Sequence, residues 1–132
     1  MKTVLDMSFS SELIMVNVGL WSRANNDYGH MLITVDTGAS VTTISTDLLH
    51  NLGYAVSTGK QKRIITASSV EYVRSVIIDK LSIGGIELKN IEVYAHTFPE
   101  SSFSMGVLGL NVLRNFDVNL LFSRNEIELT FR

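Results

Sequence analysis

The apolar residues of this chain come in short runs, and that brevity constrains its fold more than any other feature of the sequence. Leu13-Ile14-Met15-Val16 is among the longest, far short of the roughly 20 residues that a membrane-spanning helix requires. Val, Ile, Thr, Phe and Tyr recur in these runs, and their branched or aromatic side chains suit a pleated, half-buried surface. Only two segments have the length and capping of a helix. The fold is therefore expected to be mainly β, with one or two short helices. A chain of 132 residues buries roughly two thirds of its unfolded surface without help from a disulfide or a metal, and has little room for a second core. Residues 1–132 are read as a single domain.

Leu13 to Val18 and Met31 to Val35 read as strands joined by the polar stretch Ser22 to Gly29, a long hairpin connection with Trp21 at its entrance. Ser45 can cap a short helix through Leu52 by accepting a first-turn N–H, and Gly53 supplies the left-handed residue that ends it. Arg63 to Ile78 is either one long bent strand or two strands turning near Ala67-Ser68-Ser69. Gly84-Gly85 tolerates the positive φ of a tight hairpin between Leu81-Ser82-Ile83 and Ile86-Glu87-Leu88. Ile91, Val93 and Ala95 alternate with Glu92, Tyr94 and His96 as in a half-buried strand, and Thr97 to Ser104, with Pro99, reads as a loop. Asn111 is placed as the cap of a helix through Asn115, and Ile127, Leu129 and Phe131 as the inward side of a terminal strand.

Composition excludes several functions. Eleven basic against 13 acidic side chains, a net charge of −2, argue against a domain whose task is to neutralise phosphates, so nucleic acid is not the expected partner. Zero cysteines remove thiol catalysis, disulfide scaffolds and Cys-based zinc sites. His30, His50 and His96 lack ligand spacing, so neither a metal nor a cofactor is expected. Gly84-Gly85 has no following Lys-Ser/Thr and is no phosphate loop, and Lys60, Lys62 and Arg63 read as a solvated loop. Lys2 meets Asp6 before any sustained apolar stretch, which does not read as a signal peptide. The compartment stays open, with a soluble, cytoplasmic protein preferred and no membrane span.

The segment Ile33-Thr34-Val35-Asp36-Thr37-Gly38-Ala39-Ser40 sets one carboxylate where an apolar strand runs into a turn of small residues. Flanked by Val35 and Ala39, Asp36 is expected to be partly desolvated and so suited to proton transfer. A turn Asp that bonds its own backbone N–H groups is the alternative. Further along, Gly106-Val107-Leu108-Gly109-Leu110-Asn111-Val112-Leu113 leads two apolar residues and a glycine directly into a helix.

With both segments in that order, the sequence resembles the retropepsin-like aspartic proteases over about residues 12 to 132. In that family a hydrophobic-Asp-Thr-Gly-Ala/Ser loop is followed by a hairpin flap, then by a hydrophobic-hydrophobic-Gly strand crossing behind the Asp loop. Val107-Leu108-Gly109 matches the second element, and Phe116-Asp117-Val118-Asn119 with Ile127-Glu128-Leu129 looks like the closing strands. The resemblance implies a closed β-barrel-type acid protease monomer that hydrolyses peptide bonds with Asp36 as the catalytic residue. It implies that Thr37 bonds across a dimer axis, that Gly38 supports the carboxylates, and that Ala39 and Ser40 complete the loop. The chain holds a single Asp-Thr-Gly, so the second carboxylate of the family's chemistry has to come from a homodimer.

Ala39 stands where pepsin-like enzymes usually carry a Ser hydroxyl that stabilises the ionised carboxylate. Its loss implies a working pH less acidic than theirs. The flap departs from related bacterial sequences: Thr66-Ala67-Ser68-Ser69-Val70 contains no glycine. A flap here would pair with an extended peptide or protein substrate, as in strand addition. Ile65, Val107 and Trp21 are candidate subsite walls, with burial in the core the expected role for each. A non-catalytic peptide-binding or dimerisation module on the same fold is the competing function.

Overall fold

The computed structural model describes residues 1–10, 13–65, 67–98 and 105–132. In chain order the elements are β1 (Lys2–Asp6), β2 (Ser8–Ser10), β3 (Leu13–Ser22), β4 (Asp27–Val35), β5 (Thr42–Ser45), α1 (Thr46–Asn51), β6 (Lys60–Ile65), β7 (Val70–Ile83), β8 (Ile86–His96), β9 (Gly106–Leu108), α2 (Leu110–Leu113), β10 (Phe116–Leu121) and β11 (Glu126–Phe131). No helix among the described residues is long and apolar enough to cross a membrane.

Eight strands form one sheet in the order β2-β3-β4-β9-β5-β8-β7-β6. β3 also pairs with β7, through Gly19↔Ser82 and Leu20↔Leu81. The strands β3-β4-β9-β5-β8-β7 thereby return on themselves and enclose a barrel-like core. Val16, Ile33, Ile44, Ile78, Leu81, Val93 and Leu108 are fully buried inside it, each on the inward side of its strand's alternation. The first and last strands form a separate three-stranded sheet, β1-β11-β10, whose Ile127 and Leu129 close the core from below.

Local chemistry explains where the chain turns. Ser45 Oγ accepts the Leu48 N–H at 3.4 Å and starts α1; Gly53, at φ +92°, ends it. Gly53 is needed on steric grounds too, because a Cβ there would lie 2.9 Å from the Ala24 nitrogen. The Gly84-Gly85 hairpin, with φ of +58° and +80°, pairs Ile83 with Ile86.

Four expectations are corrected. The polar stretch Ser22 to Gly29 is no long connection: Ser22 pairs with Asp27, Trp21 with Tyr28 and Leu20 with Gly29, leaving residues 23–26 as the turn. The pairing persists because the turn is anchored. The Arg23 and Ala24 N–H groups donate to the Leu52 carbonyl at 2.8 and 3.2 Å. The Arg23 guanidinium lies 4.7 Å over the Tyr54 ring and forks onto Asp79, both contacts at 2.9 Å. That pairing holds the Asp79 carboxyl below its ordinary value. Burial pushes the Tyr54 phenol up, so its O–H stays the donor to the Trp21 carbonyl at 2.7 Å.

Lys60, Lys62 and Arg63 lie on β6, paired with Ser75, Val73 and Tyr72, and not in a loop. Of the two alternatives for Arg63 to Ile78, the structure has two strands, with residues 67–69 between β6 and β7. Asn111 is not a helix cap: Gly109 holds that position and Asn111 sits inside α2. Phe131 is 40% exposed at the end of β11, where the core no longer covers it. Of the loop expected over Thr97 to Ser104, residues 99–104 lie outside the described residues.

Candidate active site

The carboxylate of Asp36 stands at the C-terminal end of β4, where the chain leaves the sheet and returns as β5. Between those two strands lies β9, parallel to β4 through Thr34↔Val107 and Val35↔Leu108, and antiparallel to β5 through Thr43↔Val107 and Ile44↔Gly106. The Asp loop therefore rests on the strand that carries Val107, Leu108 and Gly109. The Asp36 N–H donates to the Leu108 carbonyl at 3.1 Å, and the Leu110 and Asn111 N–H groups donate to the Ala39 and Ser40 carbonyls at 2.8 and 3.1 Å.

This crossing is tight enough to dictate its glycines. A Cβ on Gly109 would lie 2.7 Å from the Val41 carbonyl carbon and 2.9 Å from both the Ala39 oxygen and the Thr42 nitrogen. One on Gly106 would lie 2.7 Å from the Thr43 oxygen. These contacts are with backbone, which cannot swing aside as a side chain does.

A buried polar knot fastens loop to strand. Thr42 is fully buried; its hydroxyl donates to Asn111 Oδ1 at 2.8 Å and accepts the Gly109 N–H at 3.0 Å. The Thr42 N–H donates to the same Oδ1 at 2.8 Å, and Asn111 Nδ2 donates to the Glu92 carbonyl at 2.7 Å. Asn111 thus joins β5, β8 and α2, which explains its place inside the helix. Thr42→Val leaves the Gly109 N–H buried and unpaired, so it is expected to lower stability by about 1–3 kcal/mol. Chemical denaturation measures this, and an unchanged midpoint would show that the knot carries no weight.

Within the loop, the Gly38 N–H donates to Asp36 Oδ1 at 2.8 Å and the Ala39 N–H to the Asp36 carbonyl at 3.3 Å. Asp36, Thr37, Gly38 and Ser40 are exposed and Ala39 is half-buried. The desolvation expected for Asp36 is thus not supplied by this chain alone. Val35 is half-buried beside it, but the loop tip opens outward into a groove.

Two adjoining cavities of ≈260 Å³ each form that groove, sharing Ala39, Thr43, Ile64 and Tyr94. The first includes Asp36 with Glu71, Val73, His96, Phe98 and Val107; the second runs past Gly38, Ser40, Val41 and Ile65. The β6–β7 hairpin contributes Ile64, Ile65, Glu71 and Val73 to that lining, beside residues of the Asp loop, β5, β8 and β9. Ala67, Ser68 and Ser69 form the link between the hairpin's arms; Thr66 lies outside the described residues. Ile65, expected in the core, is 72% exposed at the hairpin's end, because β6 is the edge strand of the sheet. Val107 is half-buried and faces the groove. Trp21 is half-buried elsewhere, edge-on to Tyr28 with Lys80 Nζ 4.2 Å over its ring.

Glu71, Tyr94, His96 and Phe98 had not been assigned to the site from sequence. The alternation that puts Val93 and Ala95 inward does put Tyr94 and His96 on the other face. It is the pairing of β5 with β8, through Thr43↔Tyr94, that turns this face toward Asp36. Among the described residues no group of His, Asp and Glu could hold a metal ion. A larger cavity, ≈390 Å³, lined by Leu5, Asp6, Asn17, His30 and Leu32 among others, includes no residue of the Asp loop.

Residues 24–112 match the sequence profile of a family described as aspartyl protease, a span that holds both Asp36 and Gly109. Among solved structures, the chain is similar to a retropepsin-like aspartic protease from Rickettsia conorii, at TM-score 0.70 and 20% identity, covering 99% of this chain and 91% of that one. No curated protein matches the sequence. The barrel-like β fold with two short helices is retropepsin-like.

Proposed function

The chain belongs to the aspartyl protease family, and on that premise we propose that it is an aspartic endopeptidase whose active site forms between two copies of the chain. One observation carries the reading: the Asp36-Thr37-Gly38 turn, braced from behind by the Leu108 carbonyl, presents its carboxylate to a groove lined in part by the β6–β7 hairpin. The groove suits an extended peptide, which can add to strand backbone as a further strand.

A lone exposed carboxylate is a poor base for activating water, and a second one facing it changes that. Two carboxylates about 3 Å apart cannot both ionise, so they share a proton and divide the work. The ionised Asp36 takes a proton from a water held between them as the water oxygen attacks the peptide carbonyl carbon. The protonated Asp36 of the second copy hydrogen-bonds the carbonyl oxygen as it gains charge. When the tetrahedral intermediate collapses, the C–N bond breaks and the leaving nitrogen takes a proton from the dyad. The second copy also supplies the desolvation that one chain lacks.

The three-stranded sheet favours such a pairing. Val118 and Leu120, on the core side of edge strand β10, are 39% and 38% exposed, and Phe122 beyond them is 58% exposed. Apolar side chains on an unpaired edge are a template for association. The glycine-free link Ala67-Ser68-Ser69 favours the second reading, a module that binds peptide without cutting it. Purified protein offered a diverse peptide library separates the two. Endoproteolysis blocked by a transition-state analogue of peptide hydrolysis is the expected result; peptide binding without cleavage at any pH would establish the module instead.

A further inference from the structure

The half of the groove that includes Asp36 is acidic. Its charged lining residues are carboxylates, Asp36 and Glu71, and neither half has a Lys or Arg in its lining among the described residues. The ion pairs among the described residues are Lys2–Glu128, Arg23–Asp79, Lys62–Glu92 and Arg124–Glu126, and Glu71 belongs to none of them. Glu71 is placed by register: it pairs with Ile64 across β6–β7, and Ser75↔Tyr94 sets the adjoining strands. Side chains two apart along a strand share a face, so Ile64, Glu71, Val73, Tyr94 and His96 all face the groove; Lys62, opposite Val73, shares that face outside the cavity lining, 4.0 Å from the Glu92 carboxylate. Phe98 stands edge-on to His96 at 5.2 Å.

We propose that this cavity is a specificity pocket for a cationic substrate side chain, lysine or arginine, whose charge is met by Glu71. The inference rests on the protease reading and names its substrate class. A long basic side chain lays its methylenes along apolar surface while its head keeps a polar partner; Ile64, Val73 and the rings of Tyr94 and Phe98 provide the surface. Aromatic faces add attraction for the cation. Burial pushes the Tyr94 phenol up, with Glu92 adding to the shift, so it remains a neutral ring with an O–H. An acidic substrate residue would meet two carboxylates. A neutral one would leave the Glu71 carboxylate, which is exposed to solvent, without a charge partner. At ≈260 Å³ the cavity is below the roughly 300 Å³ at which whole small-molecule sites begin, and it suits a single side chain.

The test uses the full chain and a set of otherwise identical peptides carrying lysine, arginine, norleucine or glutamate at each position flanking the scissile bond in turn. At one position the wild type is expected to show kcat/KM about tenfold higher for lysine or arginine than for norleucine, the scale of one shielded charge contact. Glu71→Gln is expected to bring that ratio near one, and Glu71→Lys to favour glutamate. Each ratio is taken within one protein preparation, so partial misfolding cancels. Matching peptides with a reduced scissile amide, titrated into the same proteins by calorimetry, read the same preference as binding. If no peptide is cut, the protease reading fails and the calorimetric ratio still decides the pocket. An unchanged lysine-to-norleucine ratio in Glu71→Gln, or no cationic preference in the wild type, overturns the proposal.

Discussion

Asp36→Asn is expected to abolish peptide hydrolysis while leaving the fold intact. The side chain is exposed at a loop tip, and among the described residues its one hydrogen bond is accepted by Oδ1 from the Gly38 N–H at 2.8 Å. An amide oxygen accepts the same bond, so the loop keeps its form and the melting temperature stays close to that of the wild type. The chemistry has no such substitute, because an amide neither removes a proton from water nor returns one to the leaving nitrogen. In a symmetric dimer the change strikes both halves of the dyad. Loss of general acid–base catalysis alone costs about a hundredfold to ten-thousandfold, and the upper end is expected here. Cleavage by Asp36→Asn at the wild-type rate would show that the catalytic group lies elsewhere.

The second large effect concerns the strand behind the loop. Gly109→Val is expected to lower stability by about 3 kcal/mol or more, the upper range for overpacking, and to remove activity with it. Gly109 has φ −98°, so no conformational strain is involved. The cost is a collision of the new side chain with backbone atoms at 2.7 and 2.9 Å, and relieving it means moving Ala39 to Thr42, the loop that positions Asp36. Gly38 makes a useful contrast: a Cβ there meets Asp36 Oδ1 at 3.1 Å, a side-chain atom able to yield, so Gly38→Ala should cost far less in denaturation midpoint. Equal midpoints for Gly109→Val and the wild type would contradict the close crossing.

Much of this site was legible in the sequence because its chemistry is local. An apolar strand ending in Asp36-Thr37-Gly38 and a glycine-bounded Val107-Leu108 announce a turn and a close approach, and the structure brings the two together through the Asp36 N–H to Leu108 carbonyl bond. The Ser45 cap, the Gly53 stop and the Gly84-Gly85 hairpin were equally readable, each resting on one or two residues with a fixed conformational role. What escaped depends on pairing between distant strands. Asn111 looks like a helix cap until Thr42 is seen beside it, 69 positions away in sequence. Ser22 to Gly29 looks like a loop until Leu52, Tyr54 and Asp79 are found holding Arg23 and its neighbours. Glu71, Tyr94 and His96 carry no motif, and only the registers of β6, β7, β8 and β5 turn them toward the groove. The exposure of Asp36 escaped for another reason: its neighbours Val35 and Ala39 suggested burial, but a loop tip is covered only by what binds to it.

The shared active site is tested most directly by mixing. Wild-type and Asp36→Asn chains are combined in varied ratio at constant total concentration, allowed to exchange, and assayed for peptide hydrolysis. If each site needs one Asp36 from each of two copies, mixed dimers are inactive and activity follows the square of the wild-type fraction, about one quarter at an equal mixture. A linear decline, to about one half at the same point, would mean that each chain works alone and would contradict the dyad.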